Sequence, residues 1–173
     1  MIPASALRIC RANYADPLHA QSLVSLLDSY ARDPMGGGKP LSAYAQSNLV
    51  QALSDRPQAF SVLAFVDAEP GSESRAVGLV NCMEGFSTFA CKPLVNIHDV
   101  VVLPGYRGQR IGEKMLQEVA NLARERRACK LTLEVLQGNS GATRLYERLG
   151  FAPYQLDPDM GHAQFMHKWL DRV

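Results

Sequence analysis

The sequence predicts one α/β domain, with strands and helices in the order β-α-α-β-β-β-α-β-α-β-β. Two observations carry this prediction. Short apolar strands alternate with stretches of helical periodicity, and the length of 173 residues is close to that of one domain. The chain contains no linker-like stretch and no internal repeat. A chain of this length buries roughly two-thirds of its unfolded surface, so it needs neither disulfides nor metal to fold.

The first predicted elements are a strand and two helices. Alternating apolar residues predict a strand over residues 8–13. Asp16 followed by Pro17 is typical of a helix start, because the acid caps the first turn and proline is pre-organised for it. A second helix is predicted over residues 42–53. Glycine and proline in residues 33–40 predict the loop between the two helices.

Three strands and one strongly amphipathic helix follow. The strands are predicted over residues 60–66, 75–83 and 95–103, with a polar hairpin connection at residues 67–74. Apolar residues then recur with helical spacing and define the helix: Ile111, Met115, Val119 and Leu122.

The last part of the chain predicts a strand, a short helix and a hairpin. The strand covers residues 130–136, and the helix covers residues 140–149 and ends at Gly150. The hairpin pairs residues 151–155 with residues 163–169.

Composition and charge exclude several classes of protein. Eighteen Lys and Arg against seventeen Asp and Glu give a net charge of +1, which removes the main electrostatic reason to expect a nucleic-acid partner. No apolar stretch approaches the roughly 20 residues that span a bilayer, and no secretory leader pattern is present at the N-terminus. The four cysteines form no CxxC pair and no metal-ligand spacing. These features predict a cytoplasmic protein with reduced cysteines, mostly in the core, and no metal or membrane partner.

The most informative segment is a strand that leads through a glycine-bearing turn into a helix. The strand ends at residues 100–103, the turn covers residues 104–110, and the helix begins at Ile111. The N–H groups of a helix N-terminus and its dipole favour anions, and Arg107 and Arg110 add positive charge. This pattern is typical of phosphate binding. The alternative is a plain connection whose arginines are solvated.

Two familiar phosphate-binding motifs are absent. The chain has no GxxxxGK[ST] sequence and no GxGxxG after a strand. Residues 36–39 read Gly-Gly-Gly-Lys, but no strand precedes them and Pro40 follows. We therefore interpret them as part of a mobile loop rather than as a nucleotide cradle.

A second segment, residues 133–151, combines the end of a strand with a short helix. Asn139 opens this helix, Tyr146 lies two turns into it, and Gly150 closes it. Taken alone, each residue has an ordinary structural interpretation, as N-cap, packed aromatic and C-cap respectively.

Taken together, the two segments resemble the Gcn5-related N-acetyltransferase (GNAT) superfamily. That family reads R/Q-x-x-G-x-G/A after a central strand and N-x-x-A-x-x-L-Y-x-x-x-G-F some 30 residues later. Residues 107–112 and 139–151 match these patterns, except that Arg110 stands where the family prefers glycine. The resemblance implies a single GNAT-type domain over residues 1–173, with a mixed sheet of six to seven strands flanked by about four helices.

The resemblance also implies acetyl-CoA as co-substrate. The backbone of the central strand would pair with the pantetheine arm, and one of its N–H groups would polarise the thioester carbonyl. The turn and the helix start would hold the pyrophosphate. Asn139 would bind the pantetheine, and Tyr146 would lie near the sulfur. The residues so assigned to acetyl-CoA are Val100, Val101, Val102, Arg107, Gly108, Gln109, Arg110, Ile111, Gly112, Glu113, Asn139 and Tyr146.

The implied chemistry is direct acyl transfer to an amine, with Tyr146 as the acid that protonates the departing thiolate. The plausible titratable groups around the central strands, among which the base is sought, are Tyr14, Glu84, His98 and Asp99. Strand alternation predicts opposite faces for His98 and Asp99. His98 suits a base acting through water, and Glu84 is a comparable candidate.

Nucleophilic catalysis by a cysteine is not expected. Nothing next to Cys82 or Cys91 in the sequence suggests that either thiol is activated.

Residues 85–89 and 97–102 further resemble the diamine (spermidine/spermine, thialysine) branch of the family. That branch carries Glu-Asp where this chain has His98 and Asp99, so one anionic group that could hold a cationic amine is missing. We expect a small-molecule primary amine as acceptor and a homodimer as assembly. The alternatives are a protein lysine or N-terminal acetyltransferase, a non-catalytic acyl-CoA-binding module, and a nucleotide-phosphate binder.

Overall fold

In the computed structural model, the described residues are 7–67, 74–155, 157, 159, 161 and 163–170. They belong to two compact units, Met1–Leu133 and Glu134–Val173. Residues 1–5 and most of the predicted connection at residues 67–74 lie outside the described residues.

The first nine predicted elements occur in the predicted order. The first unit contains eight of them: β1 (Leu7–Arg11), α1 (Pro17–Arg32), α2 (Ala43–Ser54), β2 (Ala59–Val66), β3 (Arg75–Ser87), β4 (Lys92–Val102), α3 (Ile111–Glu125) and β5 (Leu131–Leu133). One-turn 3₁₀ helices lie at Pro34–Gly36 and Pro104–Tyr106. The second unit contains α4 (Ser140–Arg148).

The sheet of the first unit is mixed, with strand order β1-β2-β3-β4-β5. The first four strands are antiparallel neighbours, and β5 pairs with β4 in parallel. One face packs against α1 and α2, where Leu23 of α1 joins Leu79 and Val101 in a buried cluster. Gly78 points to the other face, because a side chain there would meet Met115 of α3 at 2.8 Å. The sheet therefore lies between α1 and α2 on one side and α3 on the other.

The predicted helix starts are confirmed by side-chain caps. The Asp16 carboxylate accepts the Leu18 N–H at 2.8 Å, and Pro17 occupies the first turn of α1. The Ser42 hydroxyl accepts the Ala45 N–H at 3.1 Å at the start of α2. Each cap satisfies an N–H group that the helix itself leaves without a partner.

The loop after α1 is hydrogen-bonded to that helix. The Lys39 N–H donates to the Ala31 carbonyl at 3.0 Å, and the Leu41 N–H donates to Asp28 Oδ1 at 2.8 Å. At Gly36, a Cβ atom would lie 2.0 Å from the Tyr30 carbonyl oxygen. Glycine is required there because the loop returns so closely onto the end of α1.

The sheet has five strands among the described residues, fewer than the six to seven expected. Residues 130–136 form a strand only over Leu131–Leu133, and the described residues of the predicted terminal hairpin, 151–155 and 163–169, have no strand structure. One backbone hydrogen bond joins the two segments, from the Ala163 N–H to the Tyr154 carbonyl at 3.1 Å. Apart from Phe151, their described large apolar side chains are exposed, so little apolar burial stabilises a strand there.

All four cysteines are free, but they are not mostly core residues. Cys82 is buried, Cys10 is half-buried, and Cys91 and Cys129 are exposed. Burial raises the pKa of the Cys82 thiol well above its ordinary value, which disfavours the thiolate that a nucleophile requires.

Among the helices that the structure describes, none combines the length and the apolar character needed to cross a membrane.

Candidate functional site

Strand β4 has a partner on both sides over only part of its length. Val95–Ile97 pairs with β3 on one side and with Leu131–Leu133 on the other. Beyond Ile97, β4 pairs with β3 alone among the described strands. This leaves a stretch of β4 backbone without a neighbouring strand, which is referred to below as the open edge (residues 98–102).

A β-bulge at His98 decides which backbone groups face the open edge. Ile97 lies opposite Cys82 and Asp99 opposite Asn81, so His98 is the extra residue. Before the bulge, the backbone N–H and C=O groups of odd-numbered residues face β5. The Val95 N–H, for example, donates to the Lys130 carbonyl at 3.0 Å.

After the bulge the direction is reversed. The Leu103 N–H donates to the Val77 carbonyl of the β3 side at 3.0 Å, so by alternation the backbone of Val101 also faces β3. The N–H and C=O groups of Val100 and Val102 face the open edge instead. Of the three valines expected to offer their backbone to the pantetheine arm, Val101 thus has its backbone groups directed into the sheet, and its side chain is buried.

The side chain of Arg107 ties the turn after β4 to two distant points. Its Nε donates to the Val102 carbonyl at 3.0 Å, and its Nη2 lies 3.0 Å from Asp33 Oδ2 at the end of α1. The Met35 N–H bond to the Asp33 carboxylate lowers the pKa of Asp33, and the Arg107 bond lowers it further. Arg107 thus links the loop after α1 to the open edge through these two contacts.

Two residues of the turn before α3 have a left-handed backbone conformation. Gly108 has φ +78° and Arg110, the N-cap residue, has φ +60°. The Arg110 side chain makes no capping bond to the first turn of α3. The left-handed backbone explains why the family pattern prefers glycine at this position, since an L-residue adopts it at a cost.

The Arg110 guanidinium folds onto α3 and pairs with Glu113. Its Nε and Nη2 lie 3.0 and 2.6 Å from the two carboxylate oxygens. The arginine is largely exposed and the glutamate mostly covered, with side-chain exposures of 75% and 14%. The charge of Arg110 therefore lies beside the helix N-terminus, where it offsets the glutamate that an anion would otherwise meet.

The left-handed turn gives a direct stability prediction. Gly108→Ala is expected to lower the free energy of unfolding by about 1 kcal/mol, because alanine is strained at positive φ. Gly105→Ala is the matched control. It lies in the same turn with no positive φ, and a Cβ would meet nothing within 4 Å at either glycine. Urea unfolding of both variants tests this, and equal losses would contradict the backbone argument.

Asp99 follows the bulge and is half-buried on the α1 side of the sheet. Asn81 Nδ2 donates to Asp99 Oδ2 at 2.9 Å. Burial raises the pKa of Asp99, although the Asn81 bond and the neighbouring His98 act in the opposite direction. Asp99 is therefore a carboxyl group whose proton affinity is increased, as a general base for an amine requires.

The two base candidates favoured from the sequence lie in other environments. Glu84 forms an ion pair with Arg126 after the end of α3, at 2.9 Å, and the Arg126 guanidinium also stacks 4.7 Å from the Phe60 ring centre. Its carboxylate is thus committed to a contact between β3 and α3. His98 lies on the bulge with an exposed side chain.

In the second unit, Asn139 is the N-cap residue of α4 and Tyr146 lies within that helix. Asn139 Oδ1 caps the helix by accepting the Ala142 N–H at 3.2 Å. Tyr146 is 8% exposed, and its ring packs edge to face on Phe151 at 5.9 Å. Gly150 has φ +87° and allows the Phe151 N–H to return to the Tyr146 carbonyl at 3.0 Å.

Sequence reasoning missed Asn81. A single polar residue within the apolar run of β3 was the available signal, because an amide in a buried strand requires a hydrogen-bonding partner. Its partner, Asp99, is set by the register of β3 against β4, which cannot be read from the sequence.

The sequence profile of the Acetyltransferase (GNAT) family matches residues 23–151. Streptothricin acetyltransferase of Streptomyces lavendulae is 37% identical over 102 residues, which cover 53% of this chain and only 54% of that enzyme. Thialysine N-epsilon-acetyltransferase of Bos taurus is 41% identical over 56 residues, 32% of this chain and 33% of the relative.

Solved structures support the same fold. The crystal structure of a probable acetyltransferase superposes with a TM-score of 0.76 at 21% identity, over 95% of this chain and 99% of the other.

Proposed function

Because this chain belongs to the Acetyltransferase (GNAT) family, we propose that it transfers an acetyl group from acetyl-CoA to the primary amine of a small molecule. The amine nitrogen attacks the thioester carbonyl carbon, the C–S bond breaks, and the amine proton leaves to a base. The thiolate that departs takes up a proton from an acid. Neither covalent catalysis nor a metal is required.

The observation that carries the proposal is the open edge of β4 leading directly into the N-terminus of α3. An extended pantetheine arm fits this edge as an added strand, since Val100 and Val102 direct backbone N–H groups toward it. The pyrophosphate fits the first turn of α3, where free N–H groups and the helix dipole favour anions.

We assign the stabilisation of the developing oxyanion to the Val100 N–H. Among the residues of β4 that follow the bulge, Val100 is the first whose N–H faces the open edge. An N–H held by a sheet is a preorganised donor that needs no reorganisation during the reaction. The Val102 carbonyl already accepts the Arg107 side chain, which helps to fix the direction of this edge.

Asp99 is the proposed base, in preference to His98 and Glu84. Its carboxyl group lies one residue from Val100, and burial raises its pKa, which increases its affinity for a proton. The Glu84 carboxylate is instead engaged in the ion pair with Arg126. The acid is proposed to be Tyr146, with Asn139 binding the pantetheine. Both assignments rest on the family resemblance.

The names of the relatives support a small cationic acceptor. Streptothricin and thialysine are the substrates that two of them are named for. The resemblance to the thialysine branch, expected from residues 85–89 and 97–102, is confirmed by the second of these matches. His98 replaces one acid of that branch, but Asp99 retains the other and can still attract an ammonium group.

The test is a calorimetric titration of the protein with CoA and acetyl-CoA, with ATP as control. We expect micromolar binding of CoA and no displacement by ATP. A thiol-release assay then compares streptothricin, thialysine, polyamines and lysine-containing peptides as acceptors. Turnover of peptides alone would move the proposal to protein acetylation. CoA binding without any turnover would favour an acyl-CoA-binding module, and ATP binding in place of CoA would overturn the proposal.

A homodimer in the cytoplasm remains part of the proposal. Light scattering of the purified protein measures the mass in solution, and a monomer at micromolar concentration would contradict the expected assembly.

A further inference from the structure

A row of polar side chains, two of them buried and two half-buried, crosses the sheet and ends at Asp99. Ser61 on β2, Asn81 on β3 and Asp99 on β4 lie directly opposite one another in neighbouring strands. Tyr14, from the segment between β1 and α1, extends the row beyond Ser61. The successive contacts are 2.9 Å from Tyr14 Oη to Ser61 Oγ, 2.7 Å from Ser61 to Asn81, and 2.9 Å from Asn81 to Asp99.

The surroundings of this row are apolar. All eight residues of β2 are buried, and Ser61 is its one polar residue. The adjacent row on the same face consists of Leu63, Leu79 and Val101, each no more than 4% exposed. Burying a polar group is costly unless it is hydrogen-bonded, and apolar residues of similar size usually stabilise such a site equally well. Packing alone does not account for a continuous polar row here.

The hydrogen bonds of the row run in one direction. Asn81 Oδ1 is an acceptor, so the Ser61 hydroxyl donates to it and leaves its own lone pairs for Tyr14. The Tyr14 hydroxyl therefore donates to Ser61. Asn81 Nδ2 then donates to Asp99 Oδ2. Every donor points toward Asp99, and this direction suits an ionised carboxylate, which only accepts.

Because the row engages Oδ2, it leaves the other carboxylate oxygen for a ligand. Asp99 Oδ1 accepts no hydrogen bond from residues in the described part of the chain. An amide cannot pass a proton onward, so the row is suited to orienting the carboxylate rather than to conducting its proton away.

We infer that Tyr14, Ser61 and Asn81 are positioning residues that hold the Asp99 carboxylate in one orientation, with Oδ1 presented to the acceptor amine. This inference deepens the proposed function and rests on it. None of the three residues needs to touch the substrate, because each acts through the next.

Charged and titratable groups around Asp99 come from three elements. His98 lies on the same strand, Tyr30 comes from α1 and Cys82 from β3. The negative charge of Asp99 contributes to raising the pKa values of Tyr30 and Cys82, for which burial is the larger cause. Because the Asn81 bond favours the ionised form of Asp99, loss of that bond raises the Asp99 pKa further.

The experiment follows the pH profile of kcat in Ser61→Ala, Tyr14→Phe and Asn81→Leu. We expect the acid limb to move to higher pH, by about one unit for Asn81→Leu and by less for the other two. At neutral pH, kcat falls about tenfold for Asn81→Leu, while KM for acetyl-CoA stays within about twofold. Ser61→Ala and Tyr14→Phe each remove only one hydroxyl group, so they keep the test decisive if Asn81→Leu does not fold.

Ser87→Ala is the matched control, because Ser87 is also a buried serine but lies at the far end of β3 and accepts the Ala90 N–H. It is expected to leave the pH profile unchanged. Wild-type profiles in both Ser61→Ala and Tyr14→Phe would overturn the inference and reduce the row to a structural feature.

A second readout does not depend on turnover. Carbon-13 NMR titration of the Asp99 carboxyl in the free protein should show a higher pKa in Ser61→Ala than in wild type, and no change in Ser87→Ala. If no amine is acetylated, the proposed function fails while this titration still decides whether the row controls Asp99. If the Asp99 pKa is the same in Ser61→Ala as in wild type, the inferred role of the row is wrong, whatever the enzymatic activity.

Discussion

Asp99→Asn is expected to lower amine acetylation at neutral pH by about 10²- to 10⁴-fold, the usual contribution of a positioned general base. The asparagine keeps the size of the side chain and its ability to accept the Asn81 N–H, so the fold should persist. It cannot take a proton from the amine. Binding of CoA should remain close to that of the wild type, because the backbone of the open edge is unchanged.

The pH dependence has a definite sign. Burial raises the folded-state pKa of Asp99 above its unfolded value, so the folded protein binds this proton more readily. Between the two pKa values, this group makes stability fall as pH rises. Activity changes in the opposite direction, because the base works only when ionised, and it should rise with pH through the Asp99 pKa. Asp99→Asn should therefore be at least as stable as wild type at neutral pH and should lose that acid limb.

Two further variants separate Asp99 from the bases favoured by the sequence. Glu84→Gln should reduce stability by about 1 kcal/mol through loss of the partly exposed Arg126 pair, with kcat retained. His98→Gln should leave stability unchanged, because the side chain is exposed. If Asp99→Asn retains full turnover while Glu84→Gln or His98→Gln abolishes it, the assignment of the base to Asp99 is wrong. Stopped-flow or steady-state thiol release measures these rates.

Arg110→Glu is expected to weaken CoA binding by about 10- to 100-fold. The substitution reverses a charge beside the first turn of α3 and leaves Glu113 without its bidentate partner, so two carboxylates face the phosphates. The left-handed backbone at residue 110 is retained by another L-residue, so the strain at φ +60° stays comparable. Calorimetric titration with CoA at low and physiological salt measures the effect, and the loss should shrink as salt rises.

Arg124→Glu provides the matched control for this charge reversal. Arg124 lies in the last turn of the same helix, where its side chain contacts Asn121. The substitution changes the net charge by the same amount but lies about 20 Å along α3 from residue 110. We expect its affinity for CoA to stay within about twofold of wild type. Equal losses in both variants would mean that overall charge, not the turn, attracts the cofactor.

Local sequence patterns predicted most helices and strands correctly, because the start and the periodicity of such an element depend on residues close together in the chain. Asp16 and Ser42 mark the starts of α1 and α2 through bonds to N–H groups two or three residues onward. The apolar stripe of α3 has the period of the helix, and its members Met115 and Val119 are fully buried. The terminal hairpin was predicted from the same kind of apolar alternation, but alternation alone does not supply a partner or a covered face.

The arrangement of the site depends on contacts between distant residues. The bulge at His98 appears only when β4 is registered against β3, and it reverses which residues face the open edge. Asp33 and Arg107 meet across 74 positions of the chain, and Glu84 meets Arg126 across 42. The sequence by itself determined the family and the order of the first nine elements. Tertiary structure decided that Val100 and Val102, not Val101, direct their backbone toward the open edge, and that Asp99 ends the polar row. The physical reason is that strand register arises from pairing between separate strands, and a shift of one residue moves each side chain to the other face.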